Sequence, residues 1–210
     1  MNIGIIGMGN VGGTLGTRWA AAGHQVMFGV RDPSDHKAKD LAARAGGGAC
    51  VDTVAAAARF GEVVVLATPF DAAEEALHSA GDLKGKVVID CTNPFTPDLT
   101  GLSIGHTASA GEKVASWARG ASVVKALNTT GAGNMADPRY GSERATMFVC
   151  GDDAAAKLTV TSLVETLGFE VVDAGPLSNA RLLEPLAMLW ISLAYRSGLG
   201  LNIAFRLLRR

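Results

Sequence analysis

Glycines 7, 9 and 12 in the run Gly7-Met8-Gly9-Asn10-Val11-Gly12 are the first residues of this chain whose spacing implies chemistry. They follow the apolar run Asn2–Ile6 and open an Ala-rich segment with helical periodicity, Val11–Ala22. A turn of this kind needs glycine three times over: for the tight bend, for close approach of a ligand, and for packing of helix against strand. The helix behind it offers free N–H groups and the positive end of its dipole to an anion. A glycine turn alone is a weak signal. The strand before it and the helix after it make it a binding turn for a dinucleotide pyrophosphate.

The second candidate is cationic. The strand Gln25–Val30 ends in Gly29-Val30, without a carboxylate to accept hydrogen bonds from ribose hydroxyls, and Arg31 follows at once. An arginine there would neutralise a ribose 2′-phosphate and bond it in bidentate fashion, with Ser34 adding a hydroxyl and Lys37 a second charge. This favours NADPH over NADH. Asp32 keeps the other reading open: were the strand two residues longer, Asp32 would be the ribose acid and NAD the cofactor.

These residues need a frame. Further strands are expected at Glu62–Ala67, Lys86–Asp90, Ser122–Ala126, Ala145–Cys150 and Glu170–Asp173, several of them apolar throughout, as in VVVLA. Helical patterns fall at Ser34–Ala45, Val54–Arg59, Asp71–Ser79 and Asp153–Leu167. Strands alternating with helices imply right-handed βαβ crossovers and a mainly parallel sheet with helices on both faces. The expectation is one Rossmann-type α/β domain over 1–210, with a dinucleotide-binding core at about 1–128 and an extension at about 129–210. The segment 91–111 is rich in Pro, Gly, Thr and Ser and reads as a long functional loop. It ends at Ser109-Ala110-Gly111-Glu112, whose capping-box spacing should start a helix running to Arg119. The stretch 128–143 reads as irregular, and the chain should close in a small helical extension from Ser178 onward. There Leu186, Leu189, Trp190, Leu193 and Ala194 recur at helical spacing.

Composition narrows the class. Of 210 residues 48% are hydrophobic, enough for a real core. The 19 Lys and Arg against 20 Asp and Glu leave no footprint for nucleic acid or an anionic membrane. Cys50, Cys91 and Cys150 are odd in number and far apart, so neither a disulfide framework nor a metal site is expected, and a reducing cytoplasm is. No acid–base constellation stands out. His24, His36 and His78 read as structural or surface residues, and Cys91 as an apolar strand end. His106 lies in the long loop, where a substrate could sit.

On its motifs the chain resembles a known family. They are GIIGMGNVG at 4–12, GVRDP at 29–33, ATPF at 67–70, DCTNPF at 90–95, VVKALNTTGAGNMADP at 123–138 and DAGPLSNARLLEPLAMLWI at 173–191. Together they are similar to the NADP oxidoreductases dependent on the deazaflavin coenzyme F-420 (hereafter F420), and to the cytosolic domain of six-transmembrane metalloreductases. The resemblance implies hydride transfer between NADPH and a flavin-like acceptor, with F420, FMN or FAD, a quinone or ferric chelates as acceptors. It places Thr68, Pro69 and Phe70 along the cofactor, with Asn93 and Pro94 in the matching place after the next strand. Phe95, His106, Asn128 and Thr129 are expected around the acceptor. Nicotinamide and flavin carry their own chemistry, so orientation is the protein's main task and no catalytic side chain is assigned. A homodimer with a small-molecule redox acceptor is expected. Two rivals remain: an imine reductase, whose extra helical domain the stretch after Ser178 is too short to supply, and an NADP(H)-sensing or electron-relay module.

Overall fold

Strand β1 (Asn2–Ile6) is buried from Ile3 onward because it lies in the middle of a sheet covered on both faces. The computed structural model describes residues 1–210. From β1 the chain crosses over α1 (Asn10–Ala21) to β2 (Gln25–Val30), and over α2 (His36–Ala45) to β3 (Cys50–Thr53). It then returns through α3 (Val54–Phe60) to β4 (Val63–Leu66) on the other side of β1. Helix α4 (Ala73–Ala80) leads to β5 (Val87–Asp90), and α5 (Ala110–Trp117) to β6 (Ser122–Lys125). The order β3-β2-β1-β4-β5-β6 is parallel throughout, with Ile5 paired to Phe28 on one side and to Val65 on the other. Connections leave β1 and β4 in opposite directions, and that reversal opens a crevice at the strands' carboxyl ends.

Past β6 come α6 (Ala132–Ala136) and a short hairpin of β7 (Arg139–Tyr140) with β8 (Glu143–Arg144). Strand β9 (Thr146–Gly151) joins the sheet antiparallel to β6, and α7 (Ala154–Thr166) carries the chain to β10 (Glu170–Asp173), parallel to β9. Helix α8 (Ala180–Ile191) follows. The core divides between the two faces of the sheet. Leu15, Trp19 and Phe28 fill one, and Leu66, Leu77 and Val114 the other. Trp19 Nε1 donates to the Leu163 carbonyl at 3.0 Å, fastening α1 to α7.

Four details differ from the sequence reading. Strand β3 was not expected; its residues are half-buried or exposed and the edge position needs only backbone pairing with β2. Helix α2 starts at His36 rather than Ser34, because Asp35 caps it by accepting from the Lys37 N–H at 2.9 Å. The stretch 128–143 holds α6 and the hairpin. Finally, helical structure ends with one π-helical turn at Ser192–Arg196. Gly198 and Gly200 (φ 72° and 75°) then turn the chain back to the sheet, where Thr146 N–H donates to the Phe205 carbonyl at 2.9 Å.

Candidate cofactor and acceptor site

The glycine turn joins β1 to α1 at the point where the strand order reverses. Gly7 takes φ 95°, its N–H donates to the Gly29 carbonyl at 3.2 Å, and a Cβ there would lie 2.7 Å from the Ala67 carbonyl oxygen. A Cβ on Gly12 would overlap the Gly7 carbonyl. Gly9 differs from both: a Cβ on it would meet nothing within 4 Å. Its emptiness serves no packing of the protein itself, so the space is available to a ligand. Gly9 is also the N-cap of α1 and supplies no side-chain cap, and no acidic residue stands in the first turn. The N–H groups at Asn10, Val11 and Gly12 therefore face a place suited to a phosphate.

Three cavities surround this turn. One, of about 410 Å³, lies over the switch point between Met8, Arg31, Thr68, Pro69 and α4. Its position between the ends of β2 and β4 suits an adenosine. A groove of about 780 Å³ runs between α1 and α2 and is lined by Arg31 and Lys37. Both side chains are exposed and neither is in an ion pair, so both are free for a 2′-phosphate. Ser34 is not part of that wall: its Oγ donates to Asp32 Oδ1 at 2.5 Å and its N–H to the same oxygen at 2.9 Å. Those bonds hold the Asp32 carboxyl below its usual range. Asp32 is occupied by its own turn, two residues beyond the end of β2.

The third cavity is a cleft of about 700 Å³ over the carboxyl ends of β4, β5 and β6. Asn10 and Val11 form one side, Thr68, Pro69 and Phe70 another, and Asn93 and Phe95 the loop after β5. Asn93 and Asn128 are locked together: Asn93 Nδ2 donates to the Asn128 carbonyl at 2.8 Å, and Asn128 Nδ2 to Asn93 Oδ1 at 3.0 Å and to the Leu183 carbonyl at 3.2 Å. Two buried polar atoms on this wall, Thr68 Oγ1 and Asn128 Oδ1, have no hydrogen-bond partner. Buried polar atoms are rarely left so, and a polar group of a ligand would satisfy them. These orphans, the free helix N-terminus and the space at Gly9 fit a nicotinamide dinucleotide.

Three residues expected here are elsewhere. Pro94 is buried outside the cleft wall, its carbonyl accepting from Ser103. His106 is exposed, at φ 59°, and lines none of the three cavities. Thr129 turns into the core, where its Oγ1 donates to Met147 Sδ at 3.7 Å, and Thr130 lines the cleft in its place. The difference is one residue of register in an irregular segment, which periodicity cannot supply.

Sequence reasoning also missed what holds the cleft. Lys125 is fully buried on β6, with Nζ 2.6 Å from Asp90 Oδ2, 3.0 Å from Glu184 Oε1 and 2.9 Å from the Thr92 carbonyl. Burial pulls its ammonium down, but the two carboxylates outweigh that and hold it above the ordinary lysine range. Glu184 of α8 also accepts the first N–H groups of α5, from Ala110 and Gly111, both at 3.0 Å. The signal in the sequence was a lone lysine inside the apolar strand SVVKA. The far wall is apolar surface from Ala187, Trp190 and Ile191 of α8, joined by Tyr195 and Leu201. No Asp, Glu, Lys, Arg or His lines the cleft, and burial pushes the Cys91 thiol on its floor up from its usual value.

A parallel sheet in the order 3-2-1-4-5-6, a glycine turn at its switch point and cations after β2 define an NADP-binding oxidoreductase of Rossmann type. The chain belongs to the family described as NADP oxidoreductase, coenzyme F420-dependent, whose model matches residues 2–94. It is 31% identical to the F420-dependent NADP reductase of Methanothermobacter marburgensis, over 92% of each chain. It is 32% identical to metalloreductase STEAP3 of Rattus norvegicus across 89% of its own length, but spans only 36% of that longer protein. Among solved structures it matches a protein of Arthrobacter sp. FB24 described as a putative F420-dependent NADP-reductase, with 34% identity, both chains covered in full and a TM-score of 0.90. No helix is long and apolar enough to cross a membrane.

Proposed function

We propose that the chain transfers a hydride between NADP(H) and a flavin-like ring, with the deazaflavin F420 as the preferred acceptor. The observation that carries this reading is the uncharged cleft at the carboxyl ends of β4–β6, lined by planar and apolar groups and by two unsatisfied polar atoms. NADPH bound across the glycine turn supplies the hydride. The protein's part is to hold two rings together and keep water away. Asn10–Gly12 bind the pyrophosphate, Arg31 and Lys37 the 2′-phosphate, and Thr68 and Asn128 orient the nicotinamide. Phe70, Phe95 and Trp190 enclose the acceptor ring. Holding reacting atoms about 3–3.5 Å apart supplies much of the acceleration. A conjugated ring accepts a hydride and delocalises the charge, so it needs no acid from the wall.

The family names of the relatives support F420 as acceptor, and the span shared with the metalloreductase keeps flavin with ferric chelate as the arm to compare. We place the protein in the cytoplasm as a homodimer, with Leu189, Leu199 and Leu208, exposed at 48%, 57% and 76%, toward the second copy; sedimentation of the purified chain as a monomer would refute the dimer. The functional test follows loss of NADPH absorbance with F420, with FMN plus ferric chelate, and with no acceptor. Oxidation that depends on F420 is expected. Turnover with FMN alone would move the chain to the flavin reductases. Tight NADPH binding without turnover would make it a sensor or relay.

A further inference from the structure

The cofactor accounts for one end of the groove between α1 and α2. Arg31 and Lys37 stand at that end, and Arg18 and Arg44 line the other. Arg18 is eight residues past Asn10 on α1, about 12 Å at 1.5 Å per residue, and Arg44 is seven past Lys37 on α2, about 10 Å. One 2′-phosphate cannot serve both ends. Nor does the protein bind the far cations in close pairs, although the Asp137 carboxylate, itself paired with Arg139, feels the charge of Arg18. Neither far cation is in an ion pair; Arg18 Nη2 donates only to the Leu167 carbonyl at 3.3 Å, its Nε is buried without a partner, and Arg44 Nε donates to the Asp40 carbonyl of its own helix at 3.3 Å. The carboxylates of the groove are engaged locally, Asp32 by Ser34 and Asp35 as the α2 cap.

The groove also adjoins the acceptor cleft, since Asn10, Thr14 and Ala136 line both. The shared residues beyond the pyrophosphate turn are Thr14, one helical turn past Asn10, and Ala136 of α6, so a chain of atoms linking the two spaces would cross α1 there. The cleft itself offers an acceptor no positive charge. We propose that Arg18 and Arg44 form a second anion site, which binds a phosphate- or carboxylate-bearing tail of the acceptor whose ring fills the cleft. The inference rests on the hydride-transfer reading above.

The test compares F420 with the same deazaflavin shorn of its anionic tail, in the wild-type chain and in Arg44→Ala and Arg44→Glu. Arg44 is exposed and bonds only to its own helix, so neither change disturbs packing. In the wild type the tail should lower KM about tenfold, an advantage that salt erodes. Arg44→Ala should raise KM for F420 about fivefold and Arg44→Glu further, with KM for the tail-less ring and for NADPH within about twofold of wild type. Equal KM values for the two acceptors in the wild type would overturn the second site while leaving hydride transfer intact. A rise in NADPH KM in place of the F420 effect would assign Arg44 to the cofactor and overturn it too. No turnover with either acceptor would remove the parent reading and this one with it.

Discussion

At position 9 a missing methyl group separates folding from binding. A Cβ on Gly12 would collide with the Gly7 carbonyl, so Gly12→Ala disturbs the turn itself, whereas a Cβ on Gly9 meets no protein atom. Gly9→Ala should therefore melt within a degree or two of the wild type. It should nonetheless weaken NADPH binding at least about tenfold, roughly 1.4 kcal/mol, because the added methyl occupies the approach to the helix N-terminus. Calorimetry paired with NADPH titration reads both, and an unchanged Kd would place the pyrophosphate elsewhere. Arg31 acts on a different part of the cofactor. Its guanidinium is exposed and unpaired beside two of the cavities, so Arg31→Ala should cost about 2 kcal/mol of NADPH affinity. NADH binding should be almost unaffected, collapsing the preference between the two. If instead NADH lost as much, Arg31 would be a structural residue. The glycines and Arg31 were legible from the sequence because each is required by type at a fixed place after a strand. Ser34 was not, because its hydroxyl had a nearer acceptor in Asp32, two residues back.

Elements reach the site through one buried charge cluster. Lys125 on β6 binds Asp90 on β5 and Glu184 on α8, and Glu184 in turn receives the N-terminus of α5. Asp90 Oδ1 also accepts from the Thr92 N–H at 2.9 Å and from its Oγ1 at 2.7 Å, shaping the loop that carries Asn93 into the cleft. Removing the cation leaves two carboxylates buried and facing each other. Lys125→Met should accordingly lower stability by about 3–5 kcal/mol, the usual effect of breaking a buried pair. Glu184→Gln should cost less, since an amide oxygen can still accept from α5 and Lys125 keeps Asp90. Urea denaturation of the two variants distinguishes them, and a Lys125→Met chain as stable as the wild type would show the cluster to be dispensable. The strands that meet here were legible because both faces are covered and their residues are apolar. The cluster was not, since β5, β6 and α8 lie far apart in sequence and nothing local marks their charges as partners.

Across the whole molecule, the proposed cofactor turn comes from the first half of the chain alone, whereas the proposed acceptor cleft draws on both halves. The first half contributes the glycine turn, Arg31 and Thr68, all on the regular parallel unit whose repeating pattern made it readable. The acceptor wall is assembled late, from α6, α8 and the tail beyond, where helix gives way at Gly198 and the chain turns back. The Ile203 carbonyl pins that tail, accepting from Trp190 Nε1 at 2.8 Å and from Asn134 Nδ2 at 2.6 Å, while Leu201 and Asn202 line the cleft. Helical periodicity in the last thirty residues could not foretell this return, because it depends on two glycines at positive φ and on a carbonyl bonded by side chains from two other elements. Deleting residues 198–210 should then separate the two functions. NADPH should bind with Kd within about threefold of the full chain, since no residue of the tail lines the groove or the cavity over the switch point. KM for the acceptor should rise at least about tenfold, because the cleft loses a wall and the Trp190 and Asn134 donors lose their acceptor. NADPH titration and acceptor-dependent oxidation on the shortened chain, with circular dichroism to confirm folding, measure both. Equal losses of cofactor and acceptor binding would mean that the tail holds the sheet together rather than the cleft.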